Sequence, residues 1–157
     1  MSFRVGIGVD AHKLERGVPL ILGGVRLDFD RGLSGHSDGD VLAHALIDAL
    51  LGAAGLGDIG ALFPSGDERY RGADSLDLLR DAYKQVTDAG WTLVNADCVL
   101  IGQEPKIAAR RAEMRERLSG ACGGGEVNVR ATTMDHMGFT GRGEGLAAHA
   151  VALLTRA

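Results

Sequence analysis

The sequence predicts an α/β protein, an α+β sandwich in which helices pack on one mixed sheet. Short β-branched segments alternate with longer segments that carry apolar residues at helical spacing. No linker, low-complexity stretch or internal repeat divides the 157 residues. A chain of this length can bury roughly two-thirds of its unfolded surface in one core. We therefore expect residues 1–157 to form a single domain.

The amino-terminal third contains a predicted strand, a hairpin and a helix. Residues 3–9 are β-branched and glycine-spaced, which favours a strand. A central pair of glycines splits residues 18–29 into two apolar runs, as in a hairpin. Asp40 precedes a segment with helical apolar spacing and is a typical N-cap. We expect this helix to end near Gly55 or Gly57.

The middle of the chain contains a second predicted helix followed by a strand. Asp74 or Ser75 is expected to begin a helix with an apolar stripe, and Gly90 to end it. Residues 91–101 are then predicted to form a strand.

The carboxyl-terminal third predicts a helix, a strand and a last helix. Pro105 is expected to start a polar helix that ends near Gly120. Residues 127–133 are predicted to form a strand, and residues 144–157 a helix.

Composition narrows the function classes. The net charge is −4 and no long basic block is present, which argues against nucleic acid or a membrane surface as the main partner. Cys98 and Cys122 lie in unlike settings, which predicts two free thiols rather than a disulfide framework. The first residues do not resemble a signal peptide, and we expect a cytoplasmic protein.

Asp10 and His12 form a candidate metal site. Side chains two positions apart on a strand point to the same face, so both converge on one point. A third ligand could come from His36, in a glycine-bracketed loop expected to be mobile, or from His44, in the first turn of a helix. The rigid position favours His44. Asp48, one turn further, would either accept the other ring N–H of that histidine or be a solvated helix aspartate.

A second cluster of polar residues is typical of phosphate binding. Thr132, Thr133 and Asp135 precede a glycine-rich stretch at residues 138–145 that carries an arginine. Phosphate groups and a bridging hard cation require such groups, although a tight turn alone also explains the glycines. Residues 102–106 join a strand to a helix and form a third candidate stretch, although a simple capped connection also explains them.

Several segments, in order, resemble one known family. They are residues 8–12, 36–40 with His44, 48–54, 57–60, 63–64, 72–75, 105–106 and 138–145. Over about residues 4–154 the chain resembles the 2-C-methyl-D-erythritol 2,4-cyclodiphosphate synthases.

The resemblance implies an enzyme of isoprene biosynthesis by the non-mevalonate pathway, a phosphorus–oxygen lyase. Its substrate would be 4-diphosphocytidyl-2-C-methyl-D-erythritol 2-phosphate, and its products the 2,4-cyclodiphosphate and CMP. The 2-phosphate would attack the β-phosphate in line, with assistance from metals. The subunit would be ferredoxin-like and form a homotrimer with active sites between subunits, around a cavity that could hold an anionic ligand.

The resemblance also implies metal ligands and catalytic residues. Zinc, or another divalent transition metal, would be bound by Asp10, His12 and His44. Asp135 would bind Mg²⁺ or Mn²⁺ together with the substrate diphosphate. Thr133, His36 and Asp135 are the expected catalytic residues.

A larger set of residues is implied to bind substrate. Asp58 and Gly60 would contact the erythritol hydroxyls, and the loop of His36 and Ser37 would close on phosphate. The cytidine and phosphate pocket would be formed by Gly102, Pro105, Lys106, Ala131, Thr132 and Thr133. The remaining expected contacts are Asp10, His12, Phe63, Phe139 and Arg142.

The chain departs from the family pattern at a few positions. Asp135 stands where many members have Glu, and Met134 where a threonine is common. His149, on the predicted last helix, stands where an acid is frequent. Arg142 has two interpretations, an anion ligand at the trimer axis or an internal salt bridge to Glu144.

Two other function classes fit the same residues. A metal-dependent phosphodiesterase would use a zinc-bound water in place of the internal phosphate. A non-catalytic binding module would carry the metal as a structural ion, although three protein ligands beside a loop fit a closed structural site poorly.

Overall fold

The computed structural model describes residues 1–157 and has helices packed against one face of a five-stranded sheet. The strands are β1 Ser2–Arg16, β2 Leu20–Leu22, β3 Val25–Leu27, β4 Arg31–Leu33, β5 Thr92–Ile101, β6 Glu126–Thr132 and β7 Gly145–Arg156. The helices are α1 Val41–Ala54, α2 Ile59–Leu62, α3 Ser75–Asp88, α4 Arg111–Ala121 and α5 Gly138–Gly141, with a 3₁₀ turn at Glu68–Tyr70. None of these helices is long and apolar enough to cross a membrane.

The sheet is mixed, as the sequence predicts. Its strand order is β4-β1-β7-β5-β6, and β2 pairs with β3 in a separate hairpin. Only β5 and β6 run parallel, because α4 connects them; the other pairs are antiparallel. The predicted α/β class and the hairpin at Gly23 and Gly24 are therefore confirmed.

Helix α1 is the centre of the core and lies on β1 and β7 with α3 against its other side. The Asp40 side chain accepts the Ala43 N–H at 3.2 Å, which confirms the predicted N-cap. Gly55 ends the helix in the left-handed region with φ of 72°. A Cβ at Gly8 would overlap the backbone carbonyl of Ala45, so this glycine lets α1 lie directly on β1.

The predicted last helix is wrong, since that segment is β7. It pairs with β1 on one side and β5 on the other, over most of its length. From Ala148 onwards buried and more exposed residues alternate, with Ala150 and Ala152 buried and His149 and Val151 exposed. The alanines favour a helix by intrinsic propensity, but α1 requires small side chains on the strand beneath it, and packing outweighs propensity.

The predicted helix start at Pro105 is also wrong. The chain first makes a turn in which the Arg110 N–H donates to the Ile107 carbonyl at 2.9 Å, and α4 begins at Arg111. Ile107 is buried and holds this turn on the core. The predicted end near Gly120 agrees with the last helical residue, Ala121.

The first strand is longer than predicted and has an unusual side-chain pattern. Phe3, Val5, Ile7 and Val9 lie on the open face of the sheet and are 55–68% exposed. The alternate positions face α1 and include the glycines. Because Asp10 and His12 continue that second series, both point to the helix side.

Cys98 and Cys122 are free and buried, as the sequence predicts. Burial raises the pKa of each thiol to about 12. Neither is a nucleophile at neutral pH.

Candidate metal centre and active site

Three side chains from two elements meet at one point on the helix side of the sheet. Asp10 and His12 come from β1, and His44 from the first turn of α1. Asp10 Oδ2 lies 2.9 Å from His12 Nε2 and 3.0 Å from His44 Nδ1. The two ring nitrogens are 3.3 Å apart.

The size of this triangle fits a metal ion. Bonds of about 2.0–2.1 Å from a tetrahedral zinc place its ligand atoms about 3.3 Å apart. The observed separations of 2.9, 3.0 and 3.3 Å are close to that value. Two imidazole nitrogens and one carboxylate oxygen form a donor set suited to a divalent transition metal.

Both histidines are held by groups outside the triangle. Nδ1 of His12 lies 2.8 Å from the Ser34 carbonyl, which can only accept, so this nitrogen donates and Nε2 faces Asp10. Nε2 of His44 lies 2.8 Å from Ser75 Oγ and 3.0 Å from Ser37 Oγ. Each ring thus turns its other nitrogen toward the candidate metal position.

Neither interpretation of Asp48 agrees with the structure. Its Oδ1 accepts the backbone N–H of Ile59 at 2.7 Å and so fixes the start of α2. Burial, together with the charges of Asp58 and Asp10, raises its pKa. The hydroxyl of Ser75, rather than Asp48, is the partner of the second His44 nitrogen.

Asp10 is the negatively charged member of the triangle. Burial opposes ionisation of Asp10, but hydrogen bonds and charge from His12 and His44 lower its pKa to about 2. The hydrogen bond to Asp10 raises the pKa of His12, although burial opposes it. The carboxylate is therefore ionised across the physiological range and supplies the negative charge that a divalent cation requires.

A cavity of about 420 Å³ opens beside the three candidate ligands. His36, Ser37, Gly60 and Phe63 line it, together with the three candidate metal ligands. The structure therefore places most of the residues expected around the metal and the erythritol group in one cavity. Asp58 is nearby in sequence but does not line it; its side chain caps α2 through the Ala61 N–H at 2.8 Å.

His36 lines the cavity without joining the metal triangle. Its Nε2 lies 2.8 Å from the backbone carbonyl of Asp67. The choice of His44 over His36 as third metal ligand agrees with this geometry, since the three candidate ligand atoms lie within 4.8 Å of one another without it.

A second cavity of about 170 Å³ collects the residues expected to bind cytidine and phosphate. It lies between the ends of β5 and β6 and the turn before α4, and its lining includes Gly102, Pro105, Lys106, Ala131, Thr132 and Thr133. All six expected residues therefore meet in one place. It shares no lining residue with the metal cavity.

Besides Asp58, three expected residues lie beyond both cavities. Asp135 is exposed and has a positive φ of 53°, and its N–H lies 3.4 Å from Thr133 Oγ1. Phe139 is 44% exposed. Arg142 Nε lies 2.6 Å from Glu144 Oε2, so the internal salt bridge is formed.

Sequence reasoning missed the residues that orient the histidines. Ser34 and Ser75 lie 22 and 31 residues from the histidines that they contact. A serine after an N-cap aspartate gives no signal of its own, because its role depends on how α3 packs against α1. His149, placed on a helix by the sequence, instead lies on the open face of β7.

The chain is similar to known proteins over nearly its whole length. The chain matches the model of the YgbB family over residues 3–155. It is 56% identical over 153 residues to 2-C-methyl-D-erythritol 2,4-cyclodiphosphate synthase from Moorella thermoacetica, covering 96% of this chain and 94% of the relative. The protein of that name from Rubrobacter xylanophilus is also 56% identical, covering 99% of this chain and 97% of its own length.

Solved structures match as well. The bifunctional IspDF from Campylobacter jejuni has a TM-score of 0.94 at 40% identity, with 99% of this chain and 43% of that one covered. A CDP complex of IspF from Plasmodium falciparum has a TM-score of 0.85 at 30% identity, covering 99% of this chain and 97% of that chain.

Proposed function

The chain belongs to the YgbB family of 2-C-methyl-D-erythritol 2,4-cyclodiphosphate synthases, and we propose on this basis which reaction it performs. It converts 4-diphosphocytidyl-2-C-methyl-D-erythritol 2-phosphate to 2-C-methyl-D-erythritol 2,4-cyclodiphosphate and CMP in isoprenoid biosynthesis. The observation that carries this function is the triangle of Asp10, His12 and His44 at the edge of a cavity of about 420 Å³. Because the bond to the cytidylyl phosphate breaks as the ring closes, the reaction class is a phosphorus–oxygen lyase.

We propose zinc as the ion of this triangle. Two imidazoles and one carboxylate leave an open coordination position, which is typical of a catalytic zinc site rather than a closed structural one. A divalent metal bound there would polarise a phosphate oxygen and stabilise the charge that develops on it.

The rest of the protein's task is to position the reacting phosphate groups. The 2-phosphate oxygen must approach the β-phosphorus opposite the bond that breaks, so that a new P–O bond forms as CMP leaves with the bridging oxygen. No water enters the products. His36 and Ser37 are proposed to hold phosphate above the metal cavity, and Asp58 and Gly60 to hold the erythritol hydroxyls. The hydroxyl of Thr133 is proposed to donate to the diphosphate.

The nucleotide half of the substrate is proposed to bind in the second cavity. Lys106 supplies a cation there, and Thr132 and Thr133 supply hydroxyl donors. The related Plasmodium falciparum structure is described as a CDP complex, which supports a cytidine diphosphate ligand. Asp135 is proposed to bind Mg²⁺ or Mn²⁺ that the diphosphate itself helps to ligate.

We further propose that the ferredoxin-like chains assemble as a homotrimer with active sites between subunits. One substrate molecule must reach both cavities, yet the two cavities share no lining residue within a chain. A neighbouring subunit that brings its second cavity to the metal cavity would resolve this.

The open face of the sheet also supports assembly. Phe3, Val5, Ile7 and Val9 on β1 project from it, with Val151 on β7 beside them, and all are 45–68% exposed. A contiguous apolar surface of this kind is typical of a covered interface. Arg142 and Glu144 are exposed and already paired, and an anionic ligand near them in a trimer cavity remains a proposal.

Product analysis tests this function. The protein, supplied with divalent metal, is incubated with the cytidylyl substrate, and the products are identified by mass. The proposal requires the cyclic diphosphate and CMP in equal amounts. CMP with the acyclic 2,4-bisphosphate would instead identify a phosphodiesterase in which water attacks.

A further inference from the structure

Ser75 and Asp38 form a hydrogen-bonded pair directly behind the candidate metal ligand His44. Ser75 is the first residue of α3 and is fully buried. Its hydroxyl lies 2.8 Å from His44 Nε2 and also contacts Asp38 Oδ1. The loop before α1 and the first turn of α1 are thereby joined to the start of α3, which is more than 30 residues away in the sequence.

The carboxylate of Asp38 is fixed by backbone donors. Its Oδ2 accepts the Ser75 N–H at 3.0 Å, and its Oδ1 accepts the Asp40 N–H at 3.1 Å. An ionised carboxylate can only accept hydrogen bonds, so the Ser75 hydroxyl must donate its single hydrogen to Asp38. Toward His44 this hydroxyl oxygen can therefore only accept.

The direction of these hydrogen bonds decides which nitrogen of His44 carries the hydrogen. Nε2 must donate to Ser75, since an unprotonated Nε2 would set two lone pairs against each other at 2.8 Å. When a metal ion is bound, the neutral imidazole has only one N–H, on Nε2, so Nδ1 offers its lone pair to the ion. Nδ1 is the atom that lies 3.0 Å from Asp10 Oδ2, at the candidate metal position.

Ser37 cannot perform the same task. Its Oγ lies 3.0 Å from His44 Nε2, but no carboxylate fixes its hydrogen, and it could donate to that nitrogen as readily as accept from it. The Oγ atoms of Ser75 and Ser37 are 3.4 Å apart, and both lie within hydrogen-bond distance of the His44 ring. Only the serine paired with Asp38 imposes a direction.

We infer that Ser75 and Asp38 are positioning residues that fix His44 as a metal ligand through Nδ1. The inference rests on the proposed metal centre, and it assigns to two residues outside the triangle a share of the metal affinity. Outer groups of this kind typically change metal affinity by about 10–100-fold.

The test measures Co²⁺ and Zn²⁺ affinity of the purified full-length protein by competition with a chromophoric chelator. Ser75→Ala should weaken binding about 10–100-fold, and Ser75→Thr, which keeps a hydroxyl, should recover most of the loss. Ser37→Ala should have a smaller effect than Ser75→Ala. Ser119→Ala is the matched control, because it removes a hydroxyl on α4 that likewise has a hydrogen-bond partner, the Gly125 carbonyl at 2.7 Å.

A second measurement separates positioning from general stability. In the Zn²⁺-bound protein, NMR of the imidazole nitrogens should find the His44 hydrogen on Nε2 and the metal on Nδ1, and Ser75→Ala should weaken this preference. A serine that served only to stabilise α3 would lower the melting temperature without changing either the tautomer or the metal affinity. That outcome would overturn the inference.

Binding measurements on the variants distinguish an incorrect role for Ser75 from an incorrect assignment of the metal site. If His44→Ala binds Co²⁺ as tightly as the parent protein, the metal centre itself is wrong. If binding depends on His44 but folded Ser75→Ala retains it within about threefold, only the role of Ser75 is wrong. Should Ser75→Ala not fold, Asp38→Asn decides by the same criterion, because the two Ser75 donors bond different oxygens of Asp38 and asparagine has only one.

Discussion

The Nδ1 atom of His44 lies 3.0 Å from Oδ2 of Asp10, although 34 residues separate them in the chain. This contact joins β1 to α1 at the one point where both elements present ligand atoms. It requires α1 to lie directly on the strand, which glycine at position 8 permits. The packing of the core and the geometry of the site thus have the same origin.

Removal of either histidine should abolish metal binding. We expect His12→Ala and His44→Ala each to weaken Zn²⁺ affinity by more than about 100-fold and to remove nearly all turnover, because direct ligands contribute more than the groups behind them. Circular dichroism should show the fold retained. Metal analysis of the purified variants, with exposed His136→Ala as the control that keeps its metal, checks this. Full zinc content in both variants would contradict the assignment.

Loss of the Asp135 carboxylate should affect only the second cation. Asp135→Ala should keep its zinc but require a higher magnesium or manganese concentration for half-maximal activity, because the exposed carboxylate after Thr133 is proposed to hold the cation of the diphosphate. Asp135→Glu should be tolerated. Magnesium titrations of the three proteins measure the difference, and an unchanged midpoint in Asp135→Ala would exclude the role.

Two inactive variants should restore activity when mixed. In a trimer of His44→Ala and Lys106→Ala chains, some interfaces combine an intact metal cavity with an intact nucleotide cavity. Co-expression with different tags, purification through both tags and measurement of CMP release test this. Activity no higher than that of the separate variants, given mixed trimers and an impaired Lys106→Ala protein, would refute a site shared between subunits.

The buried carboxylate of Asp40 should contribute strongly to stability. Its Oδ1 accepts the N–H of Gly23 and Ala43 at 2.9 and 3.2 Å, and its Oδ2 accepts that of Gly24 at 2.7 Å. Asp40→Ala leaves these buried donors unpaired and should lower the free energy of unfolding by about 2–4 kcal/mol. Asp74→Ala removes a more exposed N-cap of α3 and should cost about 1 kcal/mol. Equal losses in denaturant unfolding would contradict this difference.

Asp40 should also make the free energy of unfolding depend on pH. Burial and the charge of Asp38 raise the pKa of Asp40 to about 6, above the ordinary value of 3.8. Between these values the folded state binds the proton more tightly than the unfolded state, so stability falls as pH rises. The difference in free energy of unfolding between the parent protein and Asp40→Ala should decrease from pH 4 to pH 6 and then level off. An increase across that interval would show that the folded-state pKa is not raised.

Local chemistry explains what the sequence could predict. The spacing of two between Asp10 and His12 places both on one strand face, whatever the rest of the fold. Asp40 and Gly55 mark the ends of α1 by their own backbone preferences and side-chain hydrogen bonds. These signals need no knowledge of distant segments, and the structure agrees with each.

Long-range packing determines the features that the sequence could not predict. The alanines of β7 look helical in isolation, and only the closeness of α1 shows why a central strand carries such small side chains. Ser75 looks like an ordinary residue after an N-cap, and only the approach of α3 to α1 brings it to His44. The same holds for Asp48, which the structure pairs with Ile59.

The most direct test of the proposed reaction follows oxygen from the solvent. The protein is incubated with the cytidylyl substrate in water enriched in ¹⁸O, and both products are examined by mass spectrometry. Attack by the internal 2-phosphate predicts the cyclic diphosphate and CMP with no solvent oxygen in either. One ¹⁸O in CMP or in an acyclic 2,4-bisphosphate, with no cyclic product, would show that water is the nucleophile and would contradict the account.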